Sequence, residues 1–171
     1  MIATVNQTTR LLLLALLALS VVACGFHLRG TVDIPEKFKT LTLTSNSGST
    51  SFDQSLRIAL TKAGVTIVDQ ATANDNTFNL KINAITSSDV ELARNSSNDV
   101  SQIQRTVKSQ YFIRQPDGKA VYGPRNISTS RTLANQDAEE SAKLSYNKTQ
   151  TESMSEELAN QLLYDLSYAP R

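Results

Sequence analysis

Gln102–Leu133 reads QIQRTVKSQYFIRQPDGKAVYGPRNISTSRTL, two alternating halves on either side of a turn. In the first half Ile103, Val107, Tyr111 and Ile113 fall on odd positions, against Gln102, Gln104, Thr106, Lys108 and Gln110 on even ones. The second half repeats this period, with Ile127, Thr129, Arg131 and Leu133 set against Asn126, Ser128, Ser130 and Thr132. A period of two sends successive side chains to opposite faces of a strand, so each half predicts a strand with one dry face. Pro116-Asp117-Gly118 supplies residues suited to a tight turn. Together they predict a long antiparallel hairpin, with Gly123-Pro124 marking a bulge or an edge position in its second arm. Arg105 interrupts the odd face, which places it where that face opens to water or to a partner.

Working outward, Lys39–Thr44 (KTLTLT) alternates in the same way and predicts a half-buried strand. Ser51 is a candidate N-cap for a helix carrying Phe52, Leu56, Ala59, Leu60 and Ala63 on one face and ending at Gly64. Val65–Val68 predicts a short strand. Phe78, Leu80, Ile82 and Ala84 alternate with Asn79, Lys81 and Asn83 in another. Near the end, Met154, Leu158, Leu162 and Leu166 lie at helical spacing, with Asn135 or Asp137 as candidate cap. These elements predict an α+β fold: two helices packed on one face of a mostly antiparallel or mixed sheet of about four main strands. The other face of that sheet is polar and available to a partner.

The N-terminus carries a different signal. Arg10 is followed by Leu11–Val22, apolar except for Ser20, the pattern of a secretory signal peptide. Twelve helical residues rise only about 18 Å, short of the roughly 20 residues that a bilayer core requires. The segment then ends in Val21-Val22-Ala23-Cys24, which resembles the lipobox of bacterial lipoproteins. That resemblance implies cleavage between Ala23 and Cys24, with an S-diacylglycerol and an N-acyl chain on Cys24. Other uses of the cysteine fare worse. It is the only one in the chain, so no internal disulfide forms, and with the single histidine, His27, it does not complete a zinc ligand set. A Cys–His nucleophilic pair would sit at the extreme start of the mature chain. Gly25 stands where retention at the inner membrane is signalled by aspartate in many lipoproteins, so the sorting rule implies the periplasmic side of the cell outer membrane. The expected organisation is a lipoprotein signal peptide at 1–23, a lipidated lead segment at 24–38, and a single α/β sandwich domain at 39–171.

Cleavage removes one basic residue, Arg10, and leaves equal numbers of acidic and basic side chains. Such a balance argues against nucleic acid as a partner. Charge is nevertheless uneven. Residues 94–131 contain Arg94, Arg105, Lys108, Arg114, Lys119, Arg125 and Arg131 against Asp99 and Asp117, whereas 132–171 are mainly acidic. Either the two stretches neutralise each other across the fold, or the basic one faces an anionic ligand. Ser, Thr, Asn and Gln make up about a third of the chain, a wet surface of low charge. There is no phosphate-binding glycine loop, no metal-spaced His or Cys set and no Gly-x-Ser-x-Gly elbow. The paired acids Glu139-Glu140 and Glu156-Glu157 are sequence neighbours, which diverge by about 100° on a helix. No catalytic residue, metal ligand or cofactor is expected, and the chain reads as a non-enzyme.

Cys24-Gly25-Phe26-His27-Leu28-Arg29-Gly30 resembles the start of the LPS-assembly lipoprotein LptE (RlpB) family, and the order of lead segment, strand, helix, strands, long hairpin and final helix agrees with it. The motif Gly25, Phe26, His27, Leu28 and Arg29 carries the resemblance. It implies an outer-membrane lipoprotein of the LPS translocon that plugs the LptD β-barrel, assists its assembly and binds LPS for delivery to the cell surface. Lipid A phosphates would then give Arg94, Arg105, Lys108 and Lys143 a role as LPS-binding candidates. The competing readings are a stand-alone periplasmic lipid- or glycan-binding lipoprotein, or a structural lipoprotein of another outer-membrane assembly machine.

Overall fold

The computed structural model describes residues 32–170 except Asp75; the signal segment, Cys24 and the motif at 25–29 lie outside the described residues. In chain order the elements are a short 3-10 turn (Glu36–Phe38), β1 (Thr40–Ser45), α1 (Thr50–Lys62), β2 (Thr66–Ile67), β3 (Phe78–Ile82), β4 (Thr86–Arg94), β5 (Val100–Arg114), β6 (Ala120–Leu133) and α2 (Glu140–Ser167). This is the expected α+β arrangement, with a mixed sheet. β1 runs parallel to both β2 and β3, while β3, β4 and β6 all pair antiparallel to β5.

β5 organises the sheet because its fifteen residues serve three partners. β6 pairs along it from Ile103 to Arg114. A strand has two edges, so β3 and β4 divide the other one: β3 takes Tyr111–Arg114 and β4 takes Val100–Lys108. Asn83 N–H donates to Gln110 C=O across the break between them, and Ser109 Oγ donates to Asn83 C=O, so the edge stays hydrogen-bonded where the strand is interrupted.

The dry face of the sheet carries Leu41, Leu80, Ile82, Val107, Tyr111, Ile113 and Ile127, which join one core with Phe52, Leu56 and Leu60 of α1 and Met154, Leu158, Leu162 and Leu166 of α2. Both helices therefore cover the same face, as the stripes predicted. Ile34 and Phe38, from the lead segment, are each only 1% exposed and belong to this core. Phe38 packs edge-on against Phe78 with ring centroids 5.3 Å apart. The packed body thus extends upstream of residue 39.

Three local details differ from the sequence expectation. The N-cap of α1 is Ser49, whose Oγ accepts from Phe52 N–H, and Ser51 only meets the capping hydroxyl at 3.1 Å. α2 begins after Glu139 rather than at a capping Asn135 or Asp137. β4 is a full strand in a place where no strand was expected, and it is exposed along almost its whole length. Gly123 has φ of 94°, and a Cβ there would lie 2.7 Å from Tyr111 C=O, so the close approach of the two hairpin arms requires glycine. The hairpin register shifts at this point, between Tyr111 and Ile113, as a bulge in the second arm predicts.

Candidate functional site

Alternation along β5 decides where the candidate cations go. Arg105 is odd-numbered and stands on the helix-covered face with Val107 and Tyr111. Its guanidinium grips Asp89, directly opposite on β4, through two bonds of 2.8 and 2.6 Å, and also donates to Thr151 of α2. The hydrogen bond to Asp89 raises the Arg105 pKa and lowers that of Asp89. The place where the apolar face opens is therefore filled by an ion pair. Lys108 is even-numbered and points to the open face. One phosphate group cannot meet both side chains.

Arg94 and Lys143 do share one end of the molecule. Arg94 closes β4, donates to Asn98 C=O at 2.8 Å and pairs with Glu91. Its neighbour Asn95 donates to Asp137 Oδ2 at 3.0 Å, and Gln136 N–H donates to Ser101 C=O at 3.1 Å, which ties the β4–β5 turn to the segment leading into α2. Lys143 lies at the start of α2, 2.6 Å from Glu140. Lys108 is eight residues along β5 from Val100, the partner of Arg94, or roughly 27 Å at about 3.4 Å per residue. The candidates thus separate into a pair at one end, Arg105 in an ion pair, and Lys108 alone.

The basic middle and acidic tail meet in two places. Arg131 of β6 donates to Gln150, Ser153 and Glu157 of α2. Arg125 forks onto Asp165 at 2.9 and 2.5 Å, Tyr111 Oη donates to the same carboxylate at 2.7 Å, and Tyr122 Oη donates to Asp165 C=O. Two of the seven basic side chains noted in the sequence, Arg125 and Arg131, are in this way a clasp holding α2 to the hairpin. Tyr111 is fully buried, and burial followed by its bond to Asp165 pushes its pKa up. The Arg125 hydrogen bond, aided by Tyr111 and opposed by desolvation, holds Asp165 below the usual carboxylate range.

That lowered pKa has a definite sign for stability. The contribution is present above the unfolded carboxylate pKa of about 3.9 and is lost as pH falls through the folded value. Asp165→Asn should cost about 1–2 kcal/mol at pH 7, because Tyr111 keeps an acceptor while the charge-assisted fork is lost. The gap between variant and parent should be smaller at about pH 3, below the unfolded carboxylate pKa, than at pH 7. Urea unfolding at both pH values checks this; a gap independent of pH would show that the charge is immaterial.

On the open face, Thr42 and Thr44 of β1, Asn79 and Lys81 of β3, and Gln104, Thr106, Lys108, Gln110 and Arg114 of β5 form a carpet of hydroxyls, amides and cations. Thr106 and Ser130 bond across β5 and β6 at 2.8 Å, and Gln110 donates to Asn126 at 3.0 Å. Lys81 and Arg114 were absent from the candidate set. The alternation of β3 and β5 already placed both on polar faces, but only the register Asn79↔Arg114 and Lys81↔Phe112 makes them neighbours. Among the described residues, no cluster of three or more His, Cys, Asp or Glu is arranged to hold a metal, and no helix is long and apolar enough to cross a membrane.

Comparison with known proteins now adds to this geometry. Similar solved folds include a minor lipoprotein from Acinetobacter baumannii, with TM-score 0.64 and 17% identity over 76% of this chain and 91% of that one. A lipoprotein B from Nitrosomonas europaea superposes with TM-score 0.63 and 21% identity over 84% of this chain and 90% of that one. At such identities these likenesses establish the fold alone. Among sequences, the LPS-assembly lipoprotein LptE of Photorhabdus laumondii is 30% identical over 155 residues, covering 91% of this chain and 83% of that relative. The protein of the same name from Yersinia pestis is 30% identical over 156 residues, covering 91% and 73%. The profile described as "LptE: Lipopolysaccharide-assembly" matches residues 38–166, from the core residue Phe38 to Leu166 in the last turn of α2. The chain belongs to the LptE lipopolysaccharide-assembly family.

Proposed function

We propose that this chain is a non-enzymatic lipoprotein subunit of the outer-membrane LPS translocon, anchored by lipid on Cys24 at the periplasmic side. There it plugs the LptD β-barrel, assists the assembly of that barrel and binds LPS on its way to the cell surface. The observation that carries this reading is the family match, which takes in every strand, all of α1 and α2 as far as Leu166. The open sheet face supports it physically. Large barrels have polar, wet interiors, and a carpet of hydroxyls, amides and cations stays hydrated or hydrogen-bonded in such a lumen.

Within this reading Arg94 and Lys143 are the LPS contacts, since the fold puts them at one end. Their acids Glu91 and Glu140 are 55% and 67% exposed, so both pairs exchange readily for phosphate. Arg105 serves mainly to hold Asp89, and Lys108 lies too far along the strand to join them. The double variant Arg94→Glu, Lys143→Glu should bind LPS at least about tenfold more weakly and unfold within about 1 kcal/mol of the parent. Unchanged LPS binding by a folded double variant would remove this assignment. The wider function is tested by depletion in the cell: loss of surface LPS together with mature LptD supports it, whereas a general loss of all outer-membrane barrels favours a scaffold for another machine.

A further inference from the structure

A cleft of about 460 Å³ opens on the polar face of the sheet, at the far end of β5 from Arg94. Its floor is Thr42, Thr44, Asn79, Lys81 and Arg114, side by side on three strands; Asn74 and Thr77 on one side and Gln115 and Pro116 on the other stand in its walls. Two cations meet here, and no acidic residue is among the described residues lining the cleft. Neither Lys81 nor Arg114 makes an ion pair with any described residue, unlike Arg94, Arg105, Arg125, Arg131 and Lys143. Uncompensated like charges repel, and an anion between them relieves that repulsion.

The hydrogen-bonding groups are set for the same occupant. Arg114 Nε is buried without a partner, while its guanidinium lies 5.1 Å from the centroid of the Phe112 ring, which holds it as a flat platform. A buried donor left unpaired is costly, and an acceptor that reached it would remove that cost. Asn79 Nδ2 donates to Thr42 Oγ1 at 2.8 Å and to Thr44 Oγ1 at 2.9 Å. Thr42 passes its own proton to Phe78 C=O, but Thr44 keeps one to give. The cleft therefore offers an ammonium, a guanidinium and a hydroxyl as donors, with the Asn79 carbonyl as acceptor for a neighbouring hydroxyl. We infer that this cleft is a binding site for a phosphate monoester carried on a hydroxyl-bearing molecule such as a sugar.

The site is separate from the Arg94–Lys143 end, by roughly 45 Å of strand between Val100 and Arg114 at about 3.3 Å per residue, and it does not depend on the LPS reading. The test uses the full mature lipidated chain in neutral detergent micelles, with the Arg114 Nε–H resonance as reporter. Inorganic phosphate and glucose 6-phosphate are the soluble probes, a monophosphorylated glycolipid mixed into the micelles is the membrane-borne one, and glucose is the uncharged control. Saturable movement of the reporter with at least one phosphate probe, and none with glucose, is expected. Response to the soluble probes alone assigns a soluble ligand, and response to the glycolipid alone assigns a lipid headgroup. Lys81→Gln should weaken the response at least tenfold and Thr44→Val severalfold, while Lys62→Gln, exposed on α1, leaves it unchanged. The inference is overturned if no phosphate probe moves the reporter, or if a folded Lys81→Gln or Thr44→Val protein titrates like the parent.

Discussion

Replacing Cys24 with alanine in the mature chain should abolish its partitioning into protein-free lipid vesicles. The described residues provide no membrane-crossing helix, so under the proposed anchoring the acyl chains on that sulfur and amine are the whole attachment. Each buried CH₂ contributes about 0.8 kcal/mol, and one myristoyl chain alone gives an association constant of only about 10⁴ M⁻¹. Two or more chains on one residue make attachment effectively permanent, so the loss should exceed about four orders of magnitude. Vesicle flotation of the two proteins measures it. Equal flotation would mean that another surface binds the membrane and that Cys24 is dispensable for anchoring.

The second large effect concerns the body itself. Phe52 is fully buried on the first turn of α1, in the core that both helices share with the sheet. Phe52→Ala should cost about 3–5 kcal/mol, the transfer energy of the ring plus the cavity it leaves. Against a typical total of about 5–15 kcal/mol, that is a large share of the stability. The urea midpoint should fall with little change in slope. A shift under about 1 kcal/mol would mean that the core collapses to fill the space.

What the sequence discloses depends on whether an element has one dry side. β3, β5, β6 and the stripes of both helices bury alternate or helically spaced residues, and their periods predicted them. β4 buries none of Thr86–Arg94 and holds its place through backbone pairing with β5, so there was no stripe to find. The first half of α2 is similar. No residue between Glu140 and Ser153 is fully buried, and this half is held by polar contacts: Gln136 and Asn147 exchange amide hydrogen bonds at 3.0 and 3.1 Å, and Tyr146 Oη accepts from Ala134 N–H.

The site was legible to a smaller degree for a related reason. Composition revealed a basic middle and an acidic tail but not which charges neutralise each other. Arg125 and Asp165 are forty residues apart, and only the packing of α2 over the hairpin brings them to one carboxylate fork. The pairing of β4 with β5 likewise sets Asp89 opposite Arg105 and removes that arginine from the free cations. Conversely, Lys81 and Arg114 gain significance because no acid is among the described residues that line their cleft. The N-terminal motif carried the family resemblance without any help from the fold, and the profile match over 38–166 reaches the same family from residues that the motif does not include.

The most direct measurement is isolation of the lipidated chain from outer membranes in mild detergent, with identification of every polypeptide that stays bound through gel filtration. The proposed function predicts one large β-barrel, LptD, retained in fixed ratio with this chain. Recovery of the lipoprotein alone, or with a different barrel machine, would contradict it.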